Sequence, residues 1–211
     1  MSLRLLIVIF VTFLVSCTRH YIPKTGDLLF QDLDCGELCD AIEKVTSGYE
    51  GRNFSHVGIV AVENDSTFVY EAIGPGVIRT GLDKFMNRSR DVNGNPKVLA
   101  GRIDKKYEFT IPKAVDVCRK LLNKPYDDVF DLNNQSYYCS ELVYFAFQDS
   151  AGNKLFDISP MTFKDPATGK TFPAWENYYK ELGKPIPEGQ PGLNPGGISR
   201  SEKIRIVYKF Y

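Results

Sequence analysis

The sequence predicts an α+β domain in which an antiparallel sheet packs against helices. Three observations carry this. His56 to Val62 and Thr67 to Ala72 read as strands and are separated only by Glu63-Asn64-Asp65-Ser66, which is hairpin spacing. Lys203-Ile204-Arg205-Ile206-Val207-Tyr208-Lys209 alternates charged and apolar residues, the pattern of a half-exposed strand. Helix-start signals recur between and after the strands, at Asp34, Pro112 and Pro173.

In chain order, Gly26-Asp27-Leu28-Leu29-Phe30-Gln31 is a turn into a first buried strand. Asp34 is placed to cap a helix from Cys35 to about Thr46. After the hairpin, Gly74-Pro75-Gly76 ends the second strand and Val77 to Arg79 extends the sheet. Leu82 to Asn87 forms a short helix and Lys97 to Ile103 another strand. Pro112 opens a helix running to about Leu122. A loop, Asn123 to Asp128, leads toward a helix that starts at Cys139 and continues to about Asp149. Ala174 to Leu182 is helical and closed by Gly183, while the Pro- and Gly-rich residues 184–197 are irregular. There are no internal repeats.

The N-terminus reads as a targeting segment. Arg4 is the only charge in residues 1–16, and the apolar run from Leu5 to Val15 has the length of a signal-peptide core. It ends Leu14-Val15-Ser16-Cys17, small residues before a cysteine, which resembles a bacterial lipobox. The expected organisation is a lipoprotein signal peptide over 1–16, a lipidated Cys17 with a tether over 17–25, and one catalytic domain over 26–211. The expected location is the bacterial cell envelope, on a membrane through the lipid. His20 falls in the tether, too loosely held to act as a catalytic base.

The full chain has 26 basic and 26 acidic residues, and loss of Arg4 leaves a net charge of −1. No basic stripe calls for nucleic acid. Oligomeric state is not legible. Cys35 and Cys39 are spaced i, i+4 on the expected helix, where a disulfide would strain the geometry; both read as structural thiols, and no further Cys or His completes a zinc site. Cys118 reads as core. Nothing calls for a metal or a cofactor.

That leaves Cys139 and His56. A cysteine at a helix start and a histidine on a strand form the minimal pair of thiol nucleophile and base. Unpaired N–H groups at the helix start lower the thiol pKa and are placed to hold an oxyanion. The hairpin adds a third group. A turn centred on Asn64-Asp65 gives paired residues an index sum of 129. His56 and Glu71 sum to 127, which puts them on one face as diagonal neighbours, with Glu71 placed to orient the imidazole. Glu141 lies two positions beyond Cys139, roughly opposite on the helix.

Four pieces together resemble a known family. Papain-like NlpC-type cysteine peptidases carry a Cys-Ser-Gly-Leu-Val helix, a Gly-Asp-Leu-Val-Phe strand, a His-Val-Gly-Ile strand and a strand with a polar residue before Ala. Here these are Cys139-Ser140-Glu141-Leu142-Val143, Gly26-Asp27-Leu28-Leu29-Phe30, His56-Val57-Gly58-Ile59 and Glu71-Ala72. The cysteine piece stands last instead of first. The order resembles the circularly permuted, YiiX-like branch of papain-fold amidohydrolases, over roughly Gly26 to Gln148. The resemblance implies Cys139 as nucleophile, His56 as base and Glu71 in the orienting slot, where the unpermuted enzymes commonly have His, Asn or Gln. It suggests a place near the site for Asp27, for which turn capping is the equal alternative, and Tyr137 and Tyr138 precede the nucleophile as candidate substrate-binding residues, with packing as the alternative.

The expected activity is a thiol hydrolase cleaving an amide in a peptide or amino-acid conjugate, with cell-wall peptide suggested by the unpermuted relatives. Two alternatives stand beside it. One is lipid acyl transfer or thiol esterase chemistry on the same fold, although the Asn-Cys-Glu-His signature of the lecithin retinol acyltransferase group is missing. The other is a non-catalytic binding lipoprotein. Residues 160–197, with Phe163, Phe172 and Trp175, either cover the site or pack on the sheet.

Overall fold

The computed structural model describes residues 20–211. The signal peptide and Cys17 lie outside the described residues. The elements run β1 (Leu28–Gln31), α1 (Glu37–Val45), β2 (His56–Glu63), β3 (Ser66–Ile73), β4 (Gly76–Gly81), α2 (Leu82–Met86), β5 (Val98–Ile103), α3 (Ile111–Leu121), α4 (Cys139–Ala146), β6 (Ser159–Pro160), α5 (Pro173–Leu182), β7 (Pro191–Gly192), α6 (Pro195–Ser199) and β8 (Ile204–Lys209).

Six strands make one antiparallel sheet in the order β4-β3-β2-β1-β5-β8, and β6 pairs with β7 apart from it. The fold is α+β, as expected. The β2–β3 hairpin pairs Ile59 with Tyr70 and Val60 with Val69, the register read from the sequence. Asn64 and Asp65 both take positive φ, the backbone of a tight two-residue hairpin turn, which Asn and Asp tolerate better than most residues. Between β5 and β8 the register shifts at Ala100/Gly101, so Tyr208 stands opposite Ala100 and Ile206 opposite Gly101.

Alternation along the strands divides the core. On one side Leu28, Phe30, Val57, Ile59 and Leu99 join Ala114 and Cys118 of α3 and Leu142 and Val143 of α4 in the main core. On the other, Leu29, Val60, Val69, Val98 and Ala100 pack with Phe85 and Met86 of α2 and with half-buried Tyr21, Tyr208 and Phe210. A third cluster joins Ala41 of α1 to Trp175 and Tyr179 of α5 and to Phe163.

The largest departure from expectation is at α1. The helix starts at Glu37, with Gly36 before it, so Cys35 lies outside the helix and forms a disulfide with Cys39. Two cysteines four apart are hard to join when both are helical, and Cys35 is not. Asp34 does not cap; its carboxylate pairs with Lys97 and accepts from Ser89. The helix at Cys139 ends at Ala146, where Phe147 turns extended, three residues earlier than expected. Gly183 closes α5 in the left-handed region, as read. Within the segment expected to be irregular, Pro191–Gly192 and Pro195–Ser199 form β7 and α6, the latter capped by the Asn194 side chain.

Candidate active site

His56 opens β2 and is buried. Two residues along the same strand face, Gly58 leaves room behind it: a Cβ there would lie 2.4 Å from Val69 Cγ1 and 3.2 Å from Phe85 Cε2. The Phe85 ring stands 5.9 Å from the imidazole and backs it. The glycine of the His-Val-Gly run therefore allows a close approach that fixes the ring.

The diagonal neighbour is where the register puts it. Glu71 is fully buried, and its Oε2 lies 2.6 Å from His56 Nε2. Its other contacts were not legible in the sequence. Arg88 grips the carboxylate with both terminal nitrogens, at 2.8 Å to Oε2 and 2.7 Å to Oε1, and Thr80 donates to Oε1 at 2.5 Å. Burial alone would raise the Glu71 carboxyl; the hydrogen bonds from Arg88 and His56 outweigh it and hold the pKa at about 2. Glu71 is thus a fixed anion. With Nε2 committed to Glu71, the other ring nitrogen, Nδ1, is left for the thiol.

Cys139 is the first residue of α4, and its thiol is free and buried. Burial opposes the thiolate, but the hydrogen bond and charge of His56 bring the pKa below the ordinary thiol value, helped by Ser140 and by the Val57 backbone. The reciprocal effect falls on His56. Burial disfavours its imidazolium, yet hydrogen bonds to Cys139 and Glu71 raise it to about 9. The arrangement favours a thiolate–imidazolium pair held from behind by a carboxylate.

The start of α4 is fixed by its own third residue. Glu141 Oε2 accepts the Tyr138 backbone N–H at 3.2 Å, part of a capping box. Burial pushes the Glu141 carboxyl up to about 8. It caps the nucleophile's helix and does not pair with the thiol.

Cys139 borders a cleft. Its walls are α1 (Ile42, Val45), the segment Ser159 to Phe163, Trp175 of α5, and Gly192 to Pro195. The region 160–197 therefore both packs against α1 and forms a side of the cleft.

Of the expected substrate-binding residues, Tyr138 lines this cleft, with its hydroxyl accepting from the Leu193 N–H at 3.2 Å. Tyr137 does not line it; its ring packs edge-on against Phe145. Asp27 is also elsewhere. Its carboxylate is buried in an ion pair with Arg102, at 2.6 Å, and accepts from Tyr21 and the Lys24 amide. These contacts explain its burial without a ligand and do not support a substrate-binding role. Sequence reasoning missed Tyr126. It lines the cleft, and burial together with the charge of Cys139 pushes its phenol well above the ordinary value. It was read only as part of a loop, because nothing in Asn123 to Asp128 marks a residue that folds back on the thiol.

Comparison with known proteins identifies the family. Residues 22–208 match the permuted papain-like amidase enzymes, YaeF/YiiX, C92 family. The uncharacterized protein YiiX of Escherichia coli strain K12 is 25% identical over 187 residues, covering 89% of this chain and 87% of that protein. A crystal structure described as the metalloprotein YiiX of Escherichia coli O157:H7 shares the fold, with a TM-score of 0.71 and 24% identity over 90% of this chain and 98% of that one. The chain belongs to the C92 family of permuted papain-like amidases, and is a cysteine hydrolase of amide bonds.

Proposed function

We propose that the chain cleaves an amide in a peptide or amino-acid conjugate at the cell envelope through Cys139, His56 and Glu71. The observation that carries this is the buried His56 imidazole, bound at Nε2 by a Glu71 carboxylate that Arg88 locks, whose charge draws the helix-start thiol below the ordinary thiol pKa. The Cys139 thiolate attacks the carbonyl carbon, and the resulting oxyanion is held by the Cys139 N–H with the Tyr126 hydroxyl as second donor. Imidazolium His56 gives its proton to the leaving amine as the C–N bond breaks, leaving a thioester. His56 then takes a proton from water, whose hydroxide attacks the thioester. The C–S bond breaks, the acid leaves and the thiolate–imidazolium pair is restored.

The relative from Escherichia coli O157:H7 is described as a metalloprotein. Among the described residues here, no group of three His, Cys, Asp or Glu gathers to hold a metal ion. The site carboxylate is already filled by a guanidinium, a poor neighbour for a cation. The residues do not fit a metal, and no step runs through one.

Attachment to a membrane through Cys17 belongs to the same reading. The Leu14-Val15-Ser16-Cys17 run supports it, and so does the Cys35–Cys39 disulfide, since such bonds persist mainly in oxidising compartments outside the cytosol. One feature favours a second reading. Ile42, Val45, Met161, Phe163 and Trp175 give the cleft an apolar lining that suits acyl chains. Incubating the purified protein with cell-wall peptides and with phospholipids separates the two. Release of a free amine from peptide supports the amidase reading; acyl-chain release without amide cleavage would put lipid chemistry first.

A further inference from the structure

The mechanism leaves Asp27 and Arg102 unused, and what they hold is the stretch just after the lipidation motif. Tyr21 donates to Asp27 Oδ2 at 2.8 Å, the Lys24 amide donates to the same oxygen at 2.9 Å, and Arg102 donates to the Ile22 carbonyl at 3.1 Å. The Tyr21 ring also packs on Tyr208 and Phe210, with centroids 6.0 and 5.4 Å away. Residues 21–24 are thereby stapled to β8 and to the sheet face opposite α3 and α4.

From this follows a constraint on orientation. Only residues 18–20 separate Cys17 from Tyr21. Four residue steps span at most about 14 Å even when fully extended. If acyl chains on Cys17 enter a bilayer, the stapled face has to stand at its surface. The composition of that face fits this position. Tyr208 and Phe210 are half-buried, Ile22 is 72% exposed, and Lys24 and Arg205 are exposed. Aromatic rings beside basic groups suit the boundary between lipid headgroups and acyl chains.

We propose that the face formed by Tyr21, Ile22, Tyr208 and Phe210 rests on the lipid bilayer and sets the orientation of the catalytic domain. Asp27 and Arg102 act as its staple. This rests on the reading of Cys17 as the lipidated residue. The cleft wall at Trp175 belongs to a separate cluster on α1 and α5.

The test uses the full chain, lipidated in a bacterial host and reconstituted into phosphatidylglycerol vesicles containing dibrominated phosphatidylcholine, whose bromines quench nearby indoles. Trp175 is the only tryptophan and is buried, so it serves as the internal reference. Ile22→Trp adds an indole at an exposed position without touching the core. The chain should float with the vesicles, and Cys17→Ala should not. The added Ile22→Trp emission should fall by roughly half, as expected for a side chain about 5–10 Å into the interface, while Trp175 emission is unchanged. If the chain floats through Cys17 but the added indole is not quenched, the docking face is wrong and the anchor stands. If the chain does not float, the anchor reading fails and the docking face falls with it.

Discussion

Cys118 and Cys139 are both buried cysteines on helices that pack on the same core, yet their thiols are opposites. Burial pushes Cys118 up to about 12, and the nearby Arg119 charge offsets only a small part of it. Cys139 is opposed by burial too, but ends below the ordinary thiol value because His56 answers it. Position in the helix accounts for much of the contrast. Cys118 sits near the end of α3, its N–H committed within the helix. Cys139 is the first residue of α4, where free N–H groups and the positive end of the helix face the sulfur. The pair shows that burial alone makes a cysteine inert, and that a helix start beside a supported imidazole reverses this.

The largest effect expected from breaking the contrast is on turnover. Cys139→Ala and His56→Ala should each lower kcat for amide hydrolysis on the order of 10⁴-fold or more, with native circular dichroism. Cys118→Ala should leave kcat within about two-fold and instead lower the urea midpoint, by about 1–2 kcal/mol of stability for a small core cavity. Loss of turnover in Cys118→Ala would dissolve the distinction.

A second, smaller effect tests the support behind the imidazole. Glu71→Gln removes the charge that helps raise His56 to about 9. Activity depends on the imidazolium, so in the wild type it should decline as pH rises through about 9. In Glu71→Gln the decline should move to lower pH. The loss in kcat should be on the order of 10²-fold, less than for the reacting groups, because Glu71 orients the imidazole and does not touch substrate. An unmoved alkaline limb would remove Glu71 from the line.

What the sequence could and could not say follows the same division between local and distant contacts. The hairpin register was legible because the side-chain period of a strand is two and the turn sits at Asn64-Asp65; that arithmetic set Glu71 beside His56. The start of α4 at Cys139 was legible from the apolar stripe that follows it. Arg88 and Tyr126 were not, because each reaches the site from a loop with no periodicity. Asp27 misled for a related reason. Its place in a motif says where the backbone lies, whereas its carboxylate is claimed by Arg102, 75 residues away in sequence. The Cys35–Cys39 disulfide was missed because the helix was started two residues too early.

The smallest effect concerns that disulfide. It closes a loop of only a few residues, so Cys35→Ser with Cys39→Ser should cost about 2 kcal/mol or less in stability. The activity of Cys139 should persist. Measured by thermal unfolding and turnover together, a large loss of activity at unchanged stability would mean that α1 shapes the cleft more directly than its packing indicates.

The central claim is that His56 activates Cys139, and the pH dependence of alkylation tests it most directly. Iodoacetamide labelling followed by peptide mass spectrometry should find the Cys139 rate reaching its plateau at lower pH than an ordinary thiol, with Cys118 unlabelled in the folded protein. In His56→Ala burial is left largely unopposed, so the Cys139 rate should climb only as pH rises past the ordinary thiol midpoint of about 8.5. Identical pH profiles in the wild type and His56→Ala would contradict the account.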